Sequence, residues 1–319
     1  MKAIVYEKYG TPDVLQLKEA AKPVPGEDEV LVKVHAASIN DWDLGLLYGD
    51  FINRMLNGLR KPRRNILGSD IAGKIETVGK KVKRFKAGDD VYGDLSGQWG
   101  GFAEYVCAPE KSLSLKPAAM SFEEAAAIPQ AAMLAVQGLI DKGKIHAGQK
   151  LLINGAGGGV GTFGIQIAKL YGVEVTGVDH TSKLDMMRSI GFDHVIDYLK
   201  EDFTKNGQRY DLILDTKTNR SMFDYIRALS SNGVYVTVGG SMSRLLQNLL
   251  LRPWIFMICK KHMRLVALKT NKDLDYMNEL FEAGKVKPVI DGPYKLEEFR
   301  EAFRVFDKAE HKGKVVITI

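Results

Sequence analysis

Residues 151–171, reading LLINGAGGGVGTFGIQIAKLY, narrow the folds open to this chain more than any other segment. Leu151-Leu152-Ile153 is a short apolar run and reads as a buried strand. A glycine-rich turn, Gly155 to Gly161, follows at once. Phe163, Ile165, Ile167, Ala168 and Leu170 then lay down an apolar face with Gln166 and Lys169 between them, the pattern of a helix. A second apolar run, residues 173–178, comes next. Strand, glycine turn, helix and strand make the opening of a dinucleotide-binding βαβ unit. Positions without side chains let the backbone approach a pyrophosphate. The helix N-terminus meets it with unpaired N–H groups and a partial positive charge. The strict G-x-G-x-x-G spacing is not met, and the best register is Ala156-x-Gly158-x-x-Gly161. A glycine loop of this kind is a weak signal alone; its place between strand and helix carries the reading.

The chain has 319 residues, enough for two domains. Its 45% hydrophobic and 26% charged content excludes disordered, collagen-like and fibrous classes. Two cysteines, Cys107 and Cys259, can build neither a disulfide framework nor a four-cysteine zinc lobe. The start, MKAIVYEKYG, lacks the apolar core of a signal peptide. The longest apolar stretch, residues 245–259, is broken by Gln247, Asn248, Arg252 and Pro253, too short and polar to span a bilayer. The expectation is a cytoplasmic protein without a membrane partner. Net charge is +6, with basic clusters at Arg54, Arg60, Lys61, Arg63, Arg64 and at Lys80, Lys81, Lys83, Arg84, Lys86. Such clusters attract phosphate groups. No aromatic interleaving or nucleic-acid motif accompanies them, so a solvated basic face is expected and nucleic acid is not.

Up to residue 120 the chain reads as short strands and turns: residues 3–6, 30–36, 71–78, 85–93 and 102–108. Gly73 interrupts the third and predicts a bulge or a close backbone approach. This is the pattern of a small β-barrel-like domain. Ser121 with Glu124 is a capping box opening an alanine-rich helix. Pro129 is expected to interrupt it, with a second helix over 131–142. Beyond the glycine turn, strands at 194–197, 211–215, 234–238 and 264–268 alternate with helices at 183–190, 221–229 and 273–283, and a final strand covers 314–319. Such alternation predicts an α/β fold with a parallel sheet covered by helices on both faces.

Together these residues resemble the medium-chain dehydrogenase/reductase superfamily in its zinc-free quinone oxidoreductase branch. The resemblance covers essentially the whole chain. It rests on residues 36–43 (AASINDWD), 67–73 (LGSDIAG), Val78-Gly79, Gly88-Asp89 with Val91, Gly158-Gly159-Val160-Gly161 with residues 166–169 (QIAK), 193–198 (DHVIDY), Gly284-Lys285 to residues 288–291 (PVID), and Gly313-Lys314-Val315-Val316. It implies a GroES-like β-barrel domain over residues 1–122, completed by about 285–319. A Rossmann doubly wound parallel-sheet domain is implied over 123–284, with the cofactor in the cleft between the two and a homodimer in solution. Zinc-dependent members carry a cysteine at the position of Asn40 and a His-Glu pair at Ser69-Asp70. Asn40 and Ser69 cannot supply the missing thiolate and imidazole, so no metal is expected.

Without a Lewis acid the hydride acceptor must already be electrophilic, as quinones and α,β-unsaturated carbonyls are. By resemblance, Asn40 touches the nicotinamide ribose or the substrate. Tyr48, on the loop walling the substrate cleft, is either a proton donor or an ordinary tyrosine. Gly158, Gly159, Val160 and Gly239 are the implied backbone contacts of the cofactor, and Tyr198 matches a tyrosine near the adenine. Asp179 stands where an NAD reader holds the ribose 2′-hydroxyl. His180-Thr181-Ser182-Lys183 beside it offers hydroxyls and a cation suited to a 2′-phosphate, and Thr181 and Lys183 place NADP(H) ahead of NAD(H). The apolar segment 245–257, with Trp254 and Phe256, could wall a pocket, form a dimer contact or be core. The leading reading is an NAD(P)H oxidoreductase acting on quinones or enones. An alcohol/ketone oxidoreductase and a non-catalytic nucleotide- or RNA-binding protein are the alternatives.

Overall fold

The computed structural model describes residues 1–240 and 242–319, apart from the side chains of Met242, Ser243, Leu245, Leu246, Asn248 and Leu249. The chain divides into two compact units, residues 1–130 with 270–319, and residues 131–269.

The first unit is mostly antiparallel. Strands β1 (Lys2–Val5) and β2 (Gln16–Glu19) form a hairpin. Then come β3 (Glu29–Ser38), helices α1 (Asp41–Tyr48) and α2 (Phe51–Asn57), β4 (Asp70–Val78), β5 (Asp90–Asp94), β6 (Tyr105–Pro109), β7 (Ser114–Leu115) and helix α3 (Phe122–Ala127). Gly73 does both things its place in β4 predicts. The β3–β4 register shifts between Val34 and Ala36 beside it. A Cβ on Gly73 would stand 2.2 Å from the Lys33 carbonyl oxygen. The Ser121–Glu124 capping box forms at the start of α3, and Phe122 stacks on His35 of β3 at 4.4 Å. Pro129 divides the helical run as expected: α3 ends at Ala127 and the proline opens helix α4 (Pro129–Val136), two residues earlier than the pattern suggests. The first helical position needs no N–H, so proline is at home there. A π-helical turn, Gln137–Gly143, follows.

The second unit is a six-stranded parallel sheet built from β8 (Lys150–Asn154), α5 (Gly159–Lys169), β9 (Glu174–Asp179), α6 (Leu184–Ser189), β10 (His194–Asp197), β11 (Tyr210–Asp215), α7 (Met222–Ala228), β12 (Leu229–Thr237), α8 (Met242–Cys259) and β13 (His262–Leu265). Strand order is β10-β9-β8-β11-β12-β13, so the direction of winding reverses between β8 and β11. Ligands of doubly wound sheets bind at that reversal, beyond the carboxyl ends of the strands. The last strand lies two residues earlier than the sequence pattern suggests. Its partner β12 sets the register, pairing Val234 with His262 and Thr237 with Leu265, and the ladder ends there. The core of this unit includes Leu152, Val178, Ile213, Tyr225 and Tyr235.

The chain returns to the first unit with α9 (Leu274–Glu282), β14 (Ile290–Lys295), α10 (Phe299–Asp307) and β15 (Lys314–Thr318). Strand β15 pairs with β3, completing a seven-stranded sheet with order β14-β15-β3-β4-β5-β7, to which β6 adds through β3. Helix α9 is tied to this unit by Tyr92 Oη donating to Asn278 Oδ1 (2.6 Å) and Ser114 Oγ to Asp275 Oδ1 (2.8 Å).

Candidate active site

The glycine turn is shaped by β9. Gly155, at φ +83°, and Ala156 both donate N–H bonds to the Val178 carbonyl, at 3.0 and 3.1 Å. Gly157 donates to Asp179 Oδ2 at 2.8 Å. Gly158 then caps α5 with a residue that has no side chain to accept from the helix. The first-turn N–H groups of Gly159, Val160 and Gly161 are therefore met by no capping side chain, and an anion from outside is their natural partner. The glycines differ in role. A Cβ on Gly161 would stand 2.4 Å from the Ala156 carbonyl oxygen, so this residue lets helix and turn pack. A Cβ on Gly158 would meet nothing nearer than 3.6 Å, so the space above it is open to a ligand. This cradle fits a dinucleotide pyrophosphate.

Asp179 is fully engaged. Besides Gly157 it accepts from the His180 N–H at 2.8 Å, and the Lys183 ammonium lies 3.6 Å from its Oδ1. The sequence offers Lys183 as a cation suited to a 2′-phosphate. Here it is 2% exposed and packs along Gly157, because a buried carboxylate at the strand end draws in the nearest cation. Thr181 is exposed and its hydroxyl bonds Asp197. Tyr198 is exposed, its ring 6.0 Å from that of His180.

At the end of β11 a buried carboxylate organises the neighbouring loops. Asp215 accepts from Asn154 Nδ2 (2.8 Å), the Lys217 and Thr218 N–H groups (3.0 Å each) and Tyr235 Oη (2.7 Å). Thr218 and Thr237 in turn donate their hydroxyls to the Gly239 carbonyl at 2.5 and 2.6 Å. Gly239 itself has open space where a side chain would stand.

In the first unit, Asn40 precedes α1 and is held in a buried polar cluster. Its N–H donates to Asp43 Oδ2 at 2.9 Å, and the other oxygen of Asp43 accepts from the Gly68 N–H at 2.9 Å. Asn40 Nδ2 donates to Ser69 Oγ at 3.2 Å. Lys314 Nζ donates to Asn40 Oδ1 at 2.5 Å and to the Ile39 carbonyl at 3.1 Å, and lies 3.5 Å from Asp70 Oδ2. That carboxylate oxygen also accepts from Ser38 Oγ and the Gln130 N–H. Asn40, Ser69 and Asp70 are the positions that the zinc-dependent pattern fills with ligands; here a lysine ammonium lies against Asn40 and Asp70, and Ser69 accepts from Asn40.

Tyr48 is the last residue of α1, not part of a loop: Asp43 secures the helix start, and Gly49, at φ +62°, ends the helix. Its hydroxyl donates to Asp307 Oδ1 at 2.5 Å, and with partial burial this pushes the phenol up to about 12. Trp42 and Leu46 of α1, Leu56 of α2 and Trp99 line an apolar pocket of 370 Å³. Trp99 holds a left-handed backbone, φ +57°, a strain of about 1 kcal/mol that concentrates at functional sites. In segment 245–257, Ile255 is core while Leu250, Trp254 and Met257 are exposed; Leu245, Leu246, Asn248 and Leu249 lie outside the described side chains.

Sequence reasoning missed Asp43, Asp215 and the part played by Lys314. The signals present were an acid ending the buried strand DLILD and a lysine opening an apolar one, GKVV.

Burial pushes Asp70 up to about 7 against the opposing pull of Lys314. A carboxyl raised in this way stabilises the fold fully below its unfolded value, about pH 4, and that contribution is lost as pH rises through about 7. Asp70→Asn keeps an acceptor and removes the titration. The variant is expected to gain stability relative to wild type between about pH 5 and pH 8. The comparison is between urea midpoints, and a difference independent of pH would contradict the assignment.

Comparison with known proteins agrees with this arrangement. A profile of the alcohol dehydrogenase GroES-like domain matches residues 26–118, and one described as zinc-binding dehydrogenase matches residues 190–317. The chain is 35% identical over 329 residues to a 2-methylene-furan-3-one reductase of Solanum lycopersicum, covering 99% of this chain and 79% of that one. It is 34% identical to the chloroplastic NADPH-dependent alkenal/one oxidoreductase of Arabidopsis thaliana, with the same two coverages. Among solved structures, the quinone oxidoreductase from Coxiella burnetii superposes with a TM-score of 0.86 at 26% identity, covering 100% of this chain and 99% of that one.

Proposed function

The chain belongs to the medium-chain dehydrogenase/reductase superfamily, in its quinone oxidoreductase-like branch, and is an NAD(P)H-dependent oxidoreductase of quinones and enones; we propose that it prefers NADPH, works without zinc and reduces apolar α,β-unsaturated carbonyls. The observation that carries the reading is the uncapped N-terminus of α5, at the reversal of a doubly wound sheet. With its pyrophosphate held there, a reduced nicotinamide coenzyme would supply the hydride for the electron-poor alkene carbon, the proton for its neighbour coming from water. The residues do the rest. Gly158 leaves room for the pyrophosphate, and the Gly159, Val160 and Gly161 amides hold it. Asp215 fixes the loops carrying Thr218 and Gly239. Asn40 orients the nicotinamide ribose or the acceptor. The Trp42–Trp99 pocket takes the acceptor's hydrocarbon and keeps water from it. The hydrogen bond from the Tyr48 phenol to Asp307 supports reading it as an ordinary packed tyrosine, with water as the proton source.

Two observations support the finer assignments. Asp179 meets the cofactor with its charge balanced by Lys183 and its oxygens occupied, so a 2′-phosphate is not repelled by a bare carboxylate. Asn40, Ser69 and Asp70 offer an amide, a hydroxyl and one carboxylate, and the Lys314 ammonium lies against the amide and the carboxylate. Among the described residues the edge strand β13 pairs on one side with β12 and on the other with no strand; it suits a homodimer contact, which light scattering tests.

Consumption of NADPH with a panel of enones and quinones, followed at the coenzyme's own absorbance, is expected; no turnover with any acceptor would overturn the assignment. The Michaelis constant for NADPH is expected to be at least about tenfold below that for NADH, a difference of about 1.4 kcal/mol. Because Asp179 anchors Gly157, Asp179→Ser is expected to raise both constants. A rise for NADH alone would mark Asp179 as a free ribose reader and reverse the preference.

A further inference from the structure

We infer that Lys314 is a positioning residue for hydride transfer, acting by setting which way the Asn40 amide faces. The inference rests on the role proposed for Asn40. An amide side chain has two ends of nearly equal size and opposite polarity, and its neighbours decide the orientation. Lys314 carries only donors, so the oxygen of Asn40 must face it. The NH₂ group is then turned to Ser69, whose hydroxyl accepts at 3.2 Å. The backbone on both sides is fixed. Ile39 N–H donates to the Val315 carbonyl at 3.0 Å, and β15 pairs Val316 with Ser38. The lysine is 3% exposed, and Asp70 at 3.5 Å is the nearest opposite charge. Without the ammonium nothing holds the amide oxygen. The NH₂ group already acts on both Ser69 and Asp70, so with the ammonium gone the amide oxygen loses its donor and the amide is free to turn. An Asn40 amide released from its fixed orientation would misplace whatever contact it makes with ribose or acceptor. Misplacement of an aligning group by about 1 Å can cost about 100-fold in rate.

The experiment compares full-length Asn40→Ala, Lys314→Arg and Lys314→Met with the double variants Lys314→Met/Asp70→Asn and Lys314→Met/Asn40→Ala, using ethyl vinyl ketone as acceptor. The Lys314→Met/Asp70→Asn pair removes both buried charges together and guards against a variant that fails to fold through an unpaired carboxylate. Expected are a fall in kcat of about 30-fold for Lys314→Met/Asp70→Asn, partial rescue in Lys314→Arg, and a NADPH dissociation constant within about twofold of wild type. Lys314→Met/Asn40→Ala should be no slower than Asn40→Ala alone, because the lysine acts through the amide. A kcat within about twofold of wild type in Lys314→Met/Asp70→Asn, while Asn40→Ala is slow, would overturn the inference and leave the role of Asn40 standing. Wild-type kcat in Asn40→Ala itself would overturn both.

Discussion

Gly158→Val is expected to weaken NADPH binding by about 100-fold or more, about 2.7 kcal/mol, while moving the thermal midpoint by no more than about 2 °C. The two halves of this expectation have separate causes. Nothing in the protein stands within 3.6 Å of a Cβ on Gly158, and its backbone, φ −87° and ψ 179°, is one that any residue adopts. The folded chain therefore has room for valine. The ligand does not, because the added methyl groups stand over the first-turn N–H groups that would meet the pyrophosphate. Gly161→Val should behave in the opposite way. Its Cβ would lie 2.4 Å from the Ala156 carbonyl oxygen and 2.5 Å from its Cα, so helix α5 cannot seat against its own turn. Loss of soluble folded protein is expected there, at a cost of about 3 kcal/mol or more. Thermal melts and a NADPH titration on both variants check the pair. A Gly158→Val protein that binds NADPH like wild type would show that the open space is not the cofactor's.

Asp43→Ala is expected to destabilise the protein by about 3–5 kcal/mol, since two buried N–H groups lose their acceptor at about 1–3 kcal/mol each and a small void remains. The donors are Asn40, which opens the proposed contact with ribose or acceptor, and Gly68, which precedes Ser69. One carboxylate thus joins the two segments that Asn40 Nδ2 and Ser69 Oγ bridge. Where the variant is still folded, kcat should fall by at least about tenfold, because both ends of that bridge are loosened. Asp43→Asn keeps one acceptor and should cost about half as much stability. The readouts are the urea midpoint and kcat measured well below the midpoint. A variant as stable as wild type would mean that the Asn40 and Gly68 amides find other partners.

What the sequence makes legible here is what short-range physics writes into neighbouring residues. Three apolar residues before a glycine run specify β8 and the start of α5. Ser121 and Glu124 specify the start of α3, since both partners of a capping box lie within one turn. The alternation of strands and helices carries the parallel sheet with it. The illegible parts depend on residues far apart along the chain. Lys314 and Asn40 are separated by 274 positions, and only the pairing of β15 with β3 brings them together. Lys183 reads as a cation suited to a 2′-phosphate, and the pull of buried Asp179 becomes visible only once the turn is folded. Tyr48 reads as a loop residue because the N-terminal acceptor of its helix, Asp43, resembles any other acid in the string DWDLG. The last strand of the parallel sheet shifts by two residues because β12, not its own apolar pattern, decides where the ladder ends.

Backbone amide exchange on wild-type protein with and without saturating NADPH reaches the central claim most directly. The N–H groups of Gly159, Val160 and Gly161 open a helix whose cap offers no acceptor side chain, so they should exchange quickly in the free protein. Peptides spanning residues 155–163 are expected to become strongly protected when the coenzyme binds. Saturable NADPH binding that leaves exchange over those residues unchanged would place the pyrophosphate elsewhere and contradict the account.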